Sequence, residues 1–161
     1  MKSMQDQEQL VQLVKESLRK RGCITLKAKS GTLSMRPLIL DDTLLFIEEI
    51  NGINKGDLLL LNFYTEFCCH RVIDIKENYV LTKGDNNSIV DYPVCYNQIL
   101  GKVVGLTRDS KKYNLKKGNA VLGKCIAFFS KLAAEGQPFK KINSKIELVL
   151  INILIMLTAN V

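Results

Sequence analysis

Four short segments of this chain carry residues able to do chemistry together. They are Ser30-Gly31-Thr32-Leu33-Ser34-Met35-Arg36-Pro37, Gly56-Asp57-Leu58-Leu59, His70-Arg71-Val72, and Gly84-Asp85-Asn86-Asn87 with Asp91 beyond. A serine hydroxyl is a weak nucleophile until a neighbouring base takes its proton. His70 is the single histidine in the chain. An imidazole, ordinarily titrating near ~6.5, can accept that proton and return it to a leaving amine. A carboxylate commonly fixes the tautomer of such a base, and Asp85 and Asp91 are the acids within reach in sequence. The chemistry these residue types suit is acyl transfer: hydrolysis of a peptide bond with Ser34 as nucleophile and His70 as general base.

The cysteines offer a rival nucleophile. Cys68 and Cys69 precede His70 directly, with Cys23, Cys95 and Cys125 elsewhere. An odd count with two adjacent does not read as an extracellular disulfide framework, so reduced thiols are expected. Neighbours on a strand point to opposite faces. Cys69 should therefore miss His70, while Cys68 could share its face; both are read as core or rim residues. Arg71 is expected to be an ion-pair or packing residue beside the site, and Gly56-Asp57 a turn entering a strand.

In order and spacing the four segments resemble the type I signal peptidases. More narrowly they resemble the archaeal and endoplasmic-reticulum branch, which has histidine where the bacterial branch has lysine. The resemblance spans roughly residues 24–106. It implies Ser34, His70, Asp85 and Asp91 as catalytic residues, with Asp85 an acid near the site and the partner of His70 left open between the two aspartates. It implies an oxyanion site formed by the backbone N–H of Ser34 and the hydroxyl of Thr32. Leu33 departs from the pattern, because glycine commonly stands before the nucleophile. Cleavage after small residues in a leader or signal segment is likewise implied by the resemblance alone. No cofactor or metal is expected.

Elements must hold these residues in place. Leu10, Leu13, Val14 and Leu18 recur at helical spacing before Gly22, predicting an amphipathic helix over 1–22. From Cys23 to about residue 107 the pattern is of short strands: Ile24–Ala28, Leu44–Glu48, Asp57–Phe63, Phe67–Ile75, Tyr79–Lys83 and Ile99–Leu106. The polar turn Lys76-Glu77-Asn78 divides two of them. Strands with no helical pattern between them predict a mainly β, antiparallel or mixed, peptidase domain like that of signal peptidases and repressor proteases. Residues 108–161 read as a basic link and two helices. The first has a face of Val121, Leu122, Cys125, Phe128, Phe129 and Leu132, and the second starts at a capping box, Ser144-Lys145-Ile146-Glu147.

Charge and hydropathy set the context. The net charge is +7, and residues 102–145 hold most of the excess, with Asp109 and Glu135 the only acids among them. Residues 1–22 contain no apolar run resembling a secretory signal or membrane anchor. Residues 146–159 are strongly apolar but shorter than the ~20 usually needed to span a bilayer. Core packing, interfacial contact and spanning all stay open for them. The expected location is the cytoplasm or the cytoplasmic face of a membrane, and the expected partner a peptide or protein precursor. The competing reading is a self-cleaving or non-catalytic regulatory module on the same fold, binding nucleic acid through the basic C-terminal region. Against it, one helix before Cys23 is too little for a helix-turn-helix, and the basic stretch lacks interleaved aromatics for stacking, so no nucleic acid is expected.

Overall fold

The structure, a computed structural model, describes residues 4–31, 33–63, 66–135 and 140–160. Thr32, the expected oxyanion hydroxyl, lies outside the described residues. The chain opens with α1 (Met4–Arg21), closed by Gly22 at a φ of 72°, its N–H donating to Leu18 O at 2.7 Å. A left-handed residue at a helix end is what glycine permits. Gln7, Val14 and Leu18 are buried, but Leu13 is exposed. The inward stripe is narrower than the apolar spacing suggests, and Gln7 joins it by bonding Asn62 at 2.8 Å.

The described residues form nine strands: β1 (Cys23–Lys27), β2 (Leu44–Glu48), β3 (Leu58–Phe63), β4 (Glu66–Ile75), β5 (Tyr79–Lys83), β6 (Val94–Cys95), β7 (Ile99–Arg108), β8 (Lys111–Asn114) and β9 (Ala159–Asn160). All pairs are antiparallel, in the order β1-β2-β7-β3-β4-β5-β6, with β8 beside β7 and β9 beside β8. The mainly β fold with an N-terminal helix and C-terminal helices is as expected. Part of the expected basic link is instead strand. Asp109 and Ser110, at φ 50° and 62°, make a two-residue turn of the kind that suits sheet twist, and fold β8 back on β7.

After β8 come α2 (Leu115–Gly118), a π-helical turn (Asn119–Gly123), α3 (Lys124–Ala134) and α4 (Lys140–Thr158). The face expected to be buried on α3 is not the one that is. Ile126, Ala127, Ser130 and Ala133 point inward, while Val121 and Phe128 are exposed. The wide π turn changes the helical phase just before α3 begins. The last helix starts at Lys140, ahead of the expected Ser144 cap. It packs Asn143, Glu147, Ile151, Leu154 and Thr158 inward, an i, i+4, i+3 spacing that follows one face. Among the described residues no helix is long and apolar enough to cross a membrane.

Two apolar clusters lie on the two faces of the sheet. The larger joins Leu18, Leu38, Leu58, Leu60, Leu106, Ile126 and Leu154; the smaller holds Leu59, Leu61, Val72, Val80, Val94 and Ile99. The alternation Leu58/Leu60 against Leu59/Leu61 is the period-2 rule within one strand. Asp74 ties α3 to the sheet: its buried carboxylate accepts from Lys131 at 2.8 Å, Lys55 at 2.6 Å and Lys76 at 3.2 Å. The bonds from Lys131 and Lys55 hold its carboxyl well below the usual carboxylate range.

A carboxyl so depressed contributes stability above the ordinary aspartate range and loses it as pH falls through that range toward its native value. Asp74→Asn should lower stability at neutral pH by about 1–3 kcal/mol, read by urea unfolding. The wild-type excess over Asp74→Asn should shrink as pH drops below about 4. A pH-independent difference would contradict this assignment.

Candidate active site

The site is built where β4 outruns its neighbour. β3 pairs with β4 from Glu66 to Arg71, whereas β5 pairs only with Arg71–Ile75. The other edge of β4 before Arg71 is thus left by β5, and the segment after β5, residues 84–91, turns across it. Strand alternation sends His70 to the face of the smaller cluster and Arg71 to that of the larger. The two acids of the 84–91 segment are sorted accordingly.

Asp91 meets His70. Its Oδ2 lies 2.6 Å from His70 Nδ1 and also accepts from the Thr82 hydroxyl at 2.7 Å. The backbone N–H of Asp91 donates to Thr82 O at 2.9 Å. With an ionised carboxylate at Nδ1, that nitrogen carries the hydrogen, and the Nε2 lone pair is the one free to act as a base. Both side chains are mostly buried, at 9% and 14% exposure. They edge an open groove of about 860 Å³ lined also by Phe63, Glu66, Cys68, Asn86–Val90 and Tyr92.

Asp85 goes elsewhere. Its carboxylate receives Arg71 Nε and Nη2, each at 2.7 Å, in a fully buried fork, and Arg71 Nη1 donates to Gly56 O at 2.9 Å. Paired with Arg71 on the opposite face, Asp85 is not the acid that touches His70. Gly56 itself, at a φ of 94°, lies against the Gly123 backbone, where a Cβ would overlap. The Gly56-Asp57 turn is structural: Asp57 Oδ2 accepts from Asn54 N at 2.8 Å and Lys102 at 2.7 Å.

Ser34, partly exposed, is docked on the same 84–91 segment. Asn86 N donates to Ser34 O at 2.7 Å, Asn86 Nδ2 to Leu33 O at 3.1 Å, and Asp85 N to Met35 Sδ at 3.3 Å. A side chain at Gly84 would strike Ser34 O at 2.6 Å and Ser34 Cβ at 2.9 Å, so glycine permits this seating. From the other side, Arg108 Nη1 holds Pro37 O at 2.7 Å. The segment therefore touches Ser34 through Gly84 and Asn86, and His70 through Asp91. Among the described residues no hydrogen bond joins Ser34 to His70, and such contacts commonly tighten only with substrate bound.

Residues 2–104 match the Peptidase S24-like family. The chain belongs to that family. No curated protein matches it. The S24-like match fits a serine peptidase or self-cleaving regulatory module on this fold, and it covers Ser34, His70, Asp85 and Asp91 while ending before the C-terminal helices.

In this S24-like chain the two thiols beside His70 are poor nucleophiles. Burial, then the neighbouring Cys69 and Asp91, pushes the Cys68 thiol far above its usual range. Burial and Asp85 push Cys69 up to about 12. Thiolate is the reactive form, so neither competes at neutral pH. As alternation requires, Cys68 lines the groove with His70 and Cys69 packs on the larger core. Thr82 and Arg108 support the site without having stood out in the sequence, and Glu147, read there only as the end of a capping box, supports it too. Thr82 alone had an available signal, lying two residues before Gly84 on a strand.

Proposed function

We propose that the chain is a serine endopeptidase of the Ser/His kind, cleaving an extended leader or signal segment of a peptide or protein precursor. The observation that carries this reading is the 2.6 Å contact between His70 Nδ1 and Asp91 at a groove lined by Asn86, whose N–H also holds Ser34 O. Ser34 Oγ attacks the scissile carbonyl as His70 Nε2 takes its proton. The imidazolium, steadied by Asp91, returns the proton to the leaving amine, and water then hydrolyses the acyl-enzyme by the same path. The Ser34 N–H, with the Thr32 hydroxyl, would receive the oxyanion. Selection of small residues before the cut rests on the resemblance of the four segments to signal peptidases.

Location is part of the same reading. The outward face of α4 carries exposed Ile142, Val149, Ile153 and Met156 at helical spacing, with Lys141 and Lys145 exposed near its start. The only acid of this helix, Glu147, points inward. An apolar stripe flanked by cations and free of exposed anions suits the interface of an anionic membrane, so we infer peripheral contact there. Since the inward face of α4 belongs to the core, removing the helix would not isolate this contact. Replacing Val149, Ile153 and Met156 by serine should abolish cosedimentation with phosphatidylglycerol vesicles at low salt and leave the fold intact. Wild type that fails to bind those vesicles, or a variant that binds equally, would end this assignment.

The catalytic assignment is tested with a peptide spanning a small-residue cleavage site. Ser34→Ala should abolish cleavage, and His70→Ala and Asp91→Asn should each lower kcat by about 10³–10⁴-fold. Cys68→Ala should be close to wild type. Loss of activity only in the cysteine variant would give the nucleophile to sulfur. A chain that shortens itself at a rate independent of its concentration, yet leaves added peptide intact, would favour the self-cleaving reading.

A further inference from the structure

Lys83, the last residue of β5, is a cation with 2% exposure. Burying an ammonium is costly unless its hydrogens find acceptors. Here all three can: Gly84 O at 3.1 Å, Asn87 O at 2.8 Å and Glu147 Oε1 at 3.3 Å. With these three contacts made, Nζ is committed to holding its neighbours.

Two of those acceptors are carbonyls of the turn on which Ser34 is seated. The turn closes through Asn87 N to Gly84 O at 2.9 Å, and grips Ser34 through Asn86 N and the close approach of Gly84. Lys83 Nζ therefore draws both ends of the turn to one point. Its third acceptor comes from α4, beyond the residues that match the S24-like family. Glu147 is itself buried, with the Ser130 hydroxyl of α3 as a second partner. In the sequence Glu147 reads as the far end of a capping box. Because α4 begins earlier, that carboxylate is free to turn inward instead.

We propose that Lys83 and Glu147 are positioning residues: a buried ion pair through which the C-terminal helices hold the 84–87 turn, and with it Ser34, in register with His70. The catalytic consequence rests on the peptidase reading above, but the mechanical claim does not. The pair is not needed for bulk stability of the fold, since an apolar pair of similar volume can replace a buried ion pair at little or no cost. Its role is to fix one turn.

The experiment uses the full chain with Glu147→Gln, which keeps volume and removes charge, and the double variant Lys83→Met/Glu147→Leu. Three quantities are read: kcat and KM on the peptide, the unfolding midpoint, and amide hydrogen exchange at Asn86 and Asn87 relative to α1. Glu147→Gln should lower kcat by about 10²-fold with little change in KM, and should speed exchange of the two amides about tenfold without affecting α1. The double variant should unfold near the wild-type midpoint yet keep the fast turn exchange and low kcat. Turn exchange unchanged in both variants, or accelerated only in step with global unfolding, overturns the proposal even if the wild type is an active peptidase. Faster turn exchange in the variants of a chain whose wild type cleaves no peptide would uphold the clip and remove the peptidase reading instead.

Discussion

The buried fork between Arg71 and Asp85 is the interaction on which the rest of the site depends. One guanidinium spends its donors on Asp85 and on the Gly56 carbonyl, and the backbone of Asp85 in turn meets Met35. Residues from all four sequence segments are thereby tied around a single cation. Arginine suits the task because its donors lie in a fixed plane that matches a carboxylate in two places at once. With both side chains fully buried, losing either partner would leave an uncompensated charge, at roughly 3–5 kcal/mol. The fork thus serves as a positional constraint: it brings the segment after β5 back across β4 at one place only.

From that constraint the chemistry of the opposite face follows. A strand can present His70 and Arg71 only on opposite sides, so the segment that supplies Asp85 to one must supply Asp91 to the other by wrapping the edge of β4. Six residues are enough for that crossing, and Thr82 on β5 is already in place to receive Asp91. The groove stays open because β5 abandons β4 at Arg71. The same alternation disposes of the adjacent thiols, one facing the groove and one the core, both kept protonated by burial. The C-terminal helices close the arrangement from below through Glu147, so residues outside the family match bear on the turn that seats Ser34.

Much of this was legible in the residues. Apolar or alternating runs of five to nine residues named the long strands, because a buried sheet leaves a legible pattern, and Gly22 ended α1 where a left-handed residue was needed. The elements that escaped notice had physical reasons to do so. The β7–β8 turn uses Asp109 and Ser110 at positive φ without glycine or asparagine. The inward face of α3 is set by a π turn that no periodicity reveals. Leu13 was assigned to the inward face of α1 and lies outside it, because Gln7 completes the stripe through Asn62. At the site, the types and order of Ser34, His70, Asp85 and Asp91 suggested a chemistry, but which aspartate faced the imidazole depended on strand alternation and the Arg71 fork, which only three dimensions resolve. Glu147 was hidden by a motif that fitted it to a different role.

The central claim is that Ser34 is a serine made nucleophilic by His70. A fluorophosphonate, which forms a stable bond with a serine oxygen only when a base activates it, tests this without knowledge of the natural substrate. Labelled chain, digested and mapped by mass spectrometry, should carry one phosphonyl group on Ser34 in the wild type and in Cys68→Ala, and none in Ser34→Ala or His70→Ala. Label on another residue, or on Ser34 to the same extent without His70, would contradict the account.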